Sequence, residues 1–361
     1  MKDRIISVDI FRGATIILMV LVNTPGTWSN VYAPFLHAPW HGYTPTDLVF
    51  PFFLFIVGTS IVFSYQNKPV NAGVYKKITI RTLKLIGLGL FLGAFTVSLP
   101  FIKDWADIRF PGVLQRIGVV FFFAAIMFIN FKWRTLVIIT AILLIGYWLL
   151  MTLVPVNGIE STLDRAPNNL ANWLDVQVFG THNYKADYDP EGLLSTIPSI
   201  ASSLLGIFTG LILASKQEKK ATLLMGIGGS LLIIGHLWDI IFPINKALWT
   251  SSFVLVTAGW ANLVLALIYY LTDVKKIEFG SIFRYIGANA IIVYFLSSFI
   301  AKVMGQIEVG DTSLHGWLFQ KIYVHDFMSM EMSSLLYALS VVTFYCFLAY
   351  FLYQRKIFIK V

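Results

Sequence analysis

Long apolar runs decide what this chain can fold into. Reading along the 361 residues, ten stretches approach the ~20 apolar residues that a helix needs to cross a bilayer. They fall at roughly 8–23, 45–65, 83–100, 113–131, 134–154, 192–214, 221–241, 249–271, 283–301 and 333–354. A backbone surrounded by hydrocarbon must satisfy its own hydrogen bonds, so runs of this length imply helices. The expected fold class is an all-α polytopic integral membrane protein of about ten transmembrane helices. Composition agrees, with 57% hydrophobic and only 13% charged residues against about 25% charged in soluble domains. That balance excludes a soluble enzyme, a disordered chain and a nucleic-acid-binding domain.

The net charge of +8 therefore reads as a topology signal. Placing the N-terminus in the cytoplasm puts 19 of the 27 Lys and Arg on that side and 8 on the other. By the positive-inside rule both termini are cytoplasmic. Lys2 and Arg4 precede the first run as they would in a signal peptide, but no small-x-small cleavage site follows, so that run is expected to remain as a span. A single domain over 1–361 is expected, with 155–191 as an extracytoplasmic cap and no separate soluble domain. Cys346 lies in an apolar run and reads as a small buried residue.

Polar residues at membrane depth are costly and invite a function. The richest group is in residues 34–51, where His37, Trp40, His41, Tyr43 and Asp47 crowd the entrance of the second span. Histidine titrates near neutrality and can serve as base or acid, and a carboxylate such as Asp47 can orient it. Trp40 and Tyr43 equally suit interfacial anchoring. His37 and His41 have zinc-ligand spacing only on a helix; the prolines and the missing third ligand argue against a metal. Arg109 and Arg116 flank the fourth span, Arg116 one turn inside it, where an Arg pairs, binds an anion or snorkels. Asp189-Pro190-Glu191-Gly192 suits a helix N-terminus, or Glu191 meets an Arg or a substrate amine. Asn245 and Lys246 precede the eighth span; Asn23 and Asn289 are amides that glue helices or serve a site. Most of these groups gather at the extracytoplasmic end. At the other end Arg12, Arg81, Lys84, Lys132, Arg134 and Arg284 suit either an anionic ligand or acidic lipid.

Several stretches carry a family likeness. They are Ser7–Gly13, Leu21-Val22-Asn23, His37-Ala38-Pro39-Trp40-His41-Gly42, Thr46–Gly58, Pro111–Arg116, Asp189–Gly192, Asn245-Lys246 with Leu248-Trp249-Thr250, and Gly287-Ala288-Asn289. In this order they make the chain resemble the heparan-α-glucosaminide N-acetyltransferase family of transmembrane acyltransferases, in its shorter bacterial form. The resemblance implies acetyl transfer from cytoplasmic acetyl-CoA, a co-substrate, to the amine of a glucosamine-type sugar at the far face. It also implies a homodimer in the lipid bilayer, here a bacterial cytoplasmic membrane. The active-site histidine falls at His37 with Asn23 nearby, and Asp47 is expected to orient the imidazole. His41, Trp40, Glu191, Arg116, Lys246 and Asn245 are the expected acceptor-side residues. Arg12, Arg81, Lys84, Arg284 and Asn289 are the expected donor-side residues. His37 acts as a general base or carries the acetyl group itself, and Asn23 or Asn289 donates to the thioester oxygen. An amino-sugar transporter is the competing expectation; inverted repeats would favour it, and none is evident.

Overall fold

A computed structural model describes residues 5–359. Among these the chain forms thirteen α-helices: α1 (Ile6–Asn23), α2 (Val49–Tyr65), α3 (Ala72–Ala94), α4 (Val113–Asn130), α5 (Trp133–Leu153), α6 (Leu170–Phe179), α7 (Thr196–Ala214), α8 (Lys220–Asp239), α9 (Ser251–Tyr269), α10 (Ser281–Ala288), α11 (Ala290–Gln306), α12 (Leu314–Ile322) and α13 (Met330–Gln354). A two-residue hairpin, β1 (Glu308–Val309) with β2 (Thr312–Ser313), precedes α12. Among the described residues eight helices are long and apolar enough to cross a membrane, and the pair α10–α11 makes a ninth if counted as one span, against the ten expected.

Two expected spans need correction. The third, expected at 83–100, falls in a helix at 72–94 that is not among those eight. Lys76, Lys77, Arg81 and Lys84 lie between its start and just past its midpoint, so the apolar pattern begins only midway along the helix. The ninth is not a continuous helix over 283–301. It bends by 81° between α10 and α11, at Asn289, whose side-chain Nδ2 donates to the Ile357 carbonyl (3.0 Å) and whose Oδ1 accepts from the Ile359 N–H (2.9 Å). Those bonds tie the C-terminal segment across the break.

The helices sort by what surrounds them. Most of α2, α7 and α9 is buried, whereas α8 and α13 bury little of their length. Ile233, Ile234 and Leu237 on α8 and Phe344, Phe347 and Phe351 on α13 face outward. So large an exposed apolar surface requires a lipid solvent. The main helix pairs are α1 with α10, α2 with α7, α3 with α4, and α8 with α9. Small residues allow the closest approaches. A Cβ on Gly206 of α7 would stand 1.9 Å from the Phe55 carbonyl oxygen of α2, and one on Gly58 of α2 would stand 1.8 Å from that of Ser203. The Thr59 hydroxyl donates across the same seam to the Gly206 carbonyl (3.0 Å). Gly206→Ala is therefore expected to cost about 1–3 kcal/mol through overpacking. Its thermal midpoint in detergent should fall, whereas Gly146→Ala, where a Cβ meets nothing within 4 Å, should not fall with it.

Candidate active site

The segment joining α1 to α2 is folded around one carboxylate. Asp47 is 1% exposed. Its Oδ2 accepts from the backbone N–H of Ala38 (3.0 Å) and of Thr44 (2.9 Å) and from the Thr44 hydroxyl (3.2 Å). Its Oδ1 lies 2.6 Å from His37 Nδ1. Thr44 and Asp47 form a capping box on the turn that leads into α2, so one residue serves both helix entry and the imidazole. An ionised Asp47 holds the proton on Nδ1 and leaves the Nε2 lone pair free to take another. His37 itself is half exposed.

Lys246 approaches from the segment between α8 and α9. Its Nζ lies 2.9 Å from His37 Nδ1, 3.1 Å from Nε2 and 3.4 Å from Asp47 Oδ1. Burial pushes its ammonium pKa down, against the opposing pull of Asp47 and Glu191. The residue before it is fully enclosed. Asn245 Oδ1 accepts from the Leu248 N–H (2.9 Å), its own N–H donates to the Thr250 hydroxyl (3.0 Å), and Gly42 donates its N–H to Ile244 (2.7 Å). Gly42 has φ +90, a conformation glycine adopts without strain. Asn245 is thus a scaffold that fixes Lys246 and the 37–42 loop together.

A cavity of about 360 Å³ opens beside this group, lined among others by Asn23, His37, Trp40, Asp47, Glu191 and Lys246. Arg109 forms its other wall. Its guanidinium donates to both oxygens of Asp189 (2.8 and 2.5 Å) and to Glu191. Burial alone would lower the Arg109 pKa, but the two carboxylates outweigh it and hold the group above its usual value. Tyr184, Lys185 and Tyr188 reach in from the 155–191 segment, where Tyr188 stands edge-on to Trp40 (5.3 Å between centroids).

Arg116 does not reach the cavity. It is 2% exposed, lies over the Trp249 ring (5.2 Å) and donates to the Gly192 carbonyl (3.1 Å) and the Ser195 hydroxyl. It locks α4 to the start of α7, while Arg109, one step outside the helix, faces the opening. His41 is also outside the lining; it contacts Asp164 (3.0 Å) and Asn245 (3.4 Å). Asp175 of α6 is buried against the same turn and accepts from the Leu193 N–H (2.8 Å).

A second cavity of about 270 Å³ lies at the opposite end of the same helices. Arg12, Ser60, Ser64 and Arg81 give it a polar wall. Arg12 donates to Ser60 (2.6 Å) and Asp9 (3.1 Å). Arg81 lies over the Phe121 ring (4.6 Å), with its Nε buried and without a hydrogen-bond partner. Lys84 is exposed and, with Arg284 and Asn289, stays outside this lining. Four helices contribute to both cavities: Met19 and Arg12 on α1, Phe50 and Phe53 on α2, Val113 and Ile117 on α4, Tyr294 and Ile291 on α11. On the last three the two lining residues are about one turn apart, a wall on the order of 5 Å along the helix axis.

The catalytic-domain model of heparan-alpha-glucosaminide N-acetyltransferase matches residues 4–242. The chain belongs to the heparan-alpha-glucosaminide N-acetyltransferase family. The human protein of that name is 32% identical over 355 aligned positions, which cover 81% of this chain and 52% of the human one. The mouse protein is 29% identical over 423 positions, covering 99% of this chain and 61% of the mouse one. The chain thus spans roughly half to three-fifths of the length of these two relatives. The family match ends at 242, so the His37–Asp47 pair and Arg109 lie inside it and Lys246 just beyond.

Tyr184, Lys185, Tyr188 and Tyr294 are lining residues with no expected role, and of the arginine pair singled out in the sequence it is Arg109, not Arg116, that lines the cavity. The signals were present in the Arg109-Phe110-Pro111-Gly112 run, which places Arg109 before the helix begins, and in the i, i+4 tyrosines of the 155–191 segment. Asp175 makes the fold's stability depend on pH. Burial foremost, with nearby Asp189, raises its pKa to about 7, against the Leu193 N–H and Arg116. The folded state then binds a proton that the unfolded chain has released, so stability falls as pH rises from about 4 to about 7 and levels off above. Asp175→Asn should flatten that slope in thermal melts across this range.

Proposed function

We propose that the protein moves an acetyl group from acetyl-CoA to the amine of a glucosamine-type sugar within the membrane. The observation that carries this reading is the pair of cavities sharing four helices, with a His–Asp pair in one and arginines in the other. Basic groups suit the donor's phosphates, and the apolar residues between the cavities suit its pantetheine arm. The positive-inside count supports a cytoplasmic arginine cavity with His37 toward the far side. Trp40, Tyr184 and Tyr188 offer faces for a sugar ring, and Glu191 a carboxylate for its ammonium.

An amine attacks only after losing its proton. His37 Nε2 takes that proton, and Asp47 stabilises the imidazolium that results. The nitrogen then bonds to the thioester carbon, and the carbon–sulfur bond breaks. Asn23 lines the His37 cavity and is the donor for the developing oxyanion; both polar atoms of Asn289 are engaged by the C-terminal segment. In the covalent alternative, His37 carries the acetyl group between donor and sugar. A homodimer in a bacterial cytoplasmic membrane completes the proposal. The bent α10–α11 pair is the feature that favours an amino-sugar transporter instead, but that reading leaves the His37–Asp47 pair without a task.

Purified protein given labelled acetyl-CoA and glucosamine separates these readings. Labelled N-acetylglucosamine is expected from the wild type and about 10²–10⁴-fold less from His37→Ala, the range for losing a general base. Label retained on His37 when sugar is withheld supports the covalent route. Glucosamine left unacetylated while vesicles accumulate it would establish the transporter.

A further inference from the structure

An acceptor amine must come within hydrogen-bond reach of His37, beside a carboxylate, and within the cavity. Lys246 Nζ already meets all three conditions. It is a primary amine like that of an amino sugar, and it is delivered by a rigid turn: Asn245 is fully buried, and the Trp249 N–H donates to the Lys246 carbonyl (3.1 Å). Lys185 lines the same cavity but is exposed, and its ammonium lies over the Tyr184 ring (5.2 Å).

Resting on the acetyl-transfer reading, we propose that Lys246 is an internal acceptor, a site of self-acetylation that occupies the amine position until a sugar displaces it. When sugar is scarce, His37 Nε2 takes a proton from the Lys246 ammonium. The freed nitrogen bonds to the carbonyl carbon of the acetyl thioester, the carbon–sulfur bond breaks, and an Nε-acetyl-lysine remains. Of the two protons the nitrogen loses, one goes to the departing thiolate and one leaves through His37 to water. The displacement of the Lys246 pKa below its usual value works in the same direction, since the amine is the reactive form. The product is an amide, which neither ion-pairs with Asp47 nor yields its place to a sugar ammonium. Self-acetylation therefore silences the site when donor is abundant and acceptor absent.

The test incubates the purified full chain in detergent with isotope-labelled acetyl-CoA and reads label on the Lys246 and Lys185 peptides by mass spectrometry. Wild type, His37→Ala and His37→Gln are compared, and glucosamine acetylation is assayed in the same preparations. Label on Lys246 is expected to exceed that on Lys185 by about tenfold or more, a modest share of a general base's effect. It should drop to the Lys185 level in both His37 variants and when glucosamine is added. Wild type that acetylates glucosamine but labels Lys246 no more than Lys185 overturns the self-acetylation and leaves the transferase reading standing. Equal labelling of Lys246 with and without His37 marks ordinary chemical acetylation and also overturns it. If neither glucosamine nor Lys246 is acetylated by the wild type, both readings fall.

Discussion

Asp47 is the group on which the site's geometry rests. A buried carboxylate needs hydrogen-bond donors or a charged partner, or it loses its proton-free form. Here the backbone of the 37–44 loop, the His37 ring and the Lys246 ammonium together supply them. Because Asp47 also stands at the entry to α2, the loop, the imidazole and the first turn of that helix are placed by the same set of bonds. A carboxamide at this position keeps an acceptor oxygen but removes the charge that favours both the Nδ1–H tautomer and the imidazolium.

The second constraint is how closely the helices approach. Gly58 and Gly206 bring the backbones of α2 and α7 together, and α2 then presents Phe50 to one cavity and Phe53 to the other. Phe50 and Phe53 on α2 and Val113 and Ile117 on α4, which face the two cavities across the wall, are apolar. That suits the reaction proposed: a thioester reaches the base through apolar surroundings, while its charged portion stays with Arg12 and Arg81. The arrangement around Arg81, a guanidinium packed on Phe121 with a buried Nε lacking a hydrogen-bond partner, is expensive unless an anion completes it.

Much of this was legible in the sequence. Apolar runs of helical length specify spans because hydrocarbon leaves the backbone no other choice, and most of the observed helices match those runs. The His37–Asp47 partnership was legible because few chemistries need an imidazole and a carboxylate at a span entrance. What the pattern could not convey was direction. Arg109 and Arg116 look alike in sequence, yet one turn of helix aims Arg116 at Trp249 and Ser195 while Arg109 stays free of the helix to meet Asp189, Glu191 and the cavity. The start of α3 was hidden because four basic residues interrupt its apolar period, and the break at Asn289 because an asparagine in an apolar run also fits ordinary helix packing. Lys246 was placed among the binding residues, but its contact with both ring nitrogens of His37 depends on a segment 209 residues away in sequence.

In the proposed reaction donor and acceptor meet from opposite ends of one bundle. The most direct measurement reconstitutes the protein in sealed vesicles, with labelled acetyl-CoA outside and glucosamine trapped inside, the orientation being scored by protease cleavage of an epitope added after Val361. Labelled N-acetylglucosamine accumulating in the lumen, in proportion to the fraction of molecules whose termini face outward, is the predicted result. Product that forms only when donor and glucosamine share one compartment would contradict it.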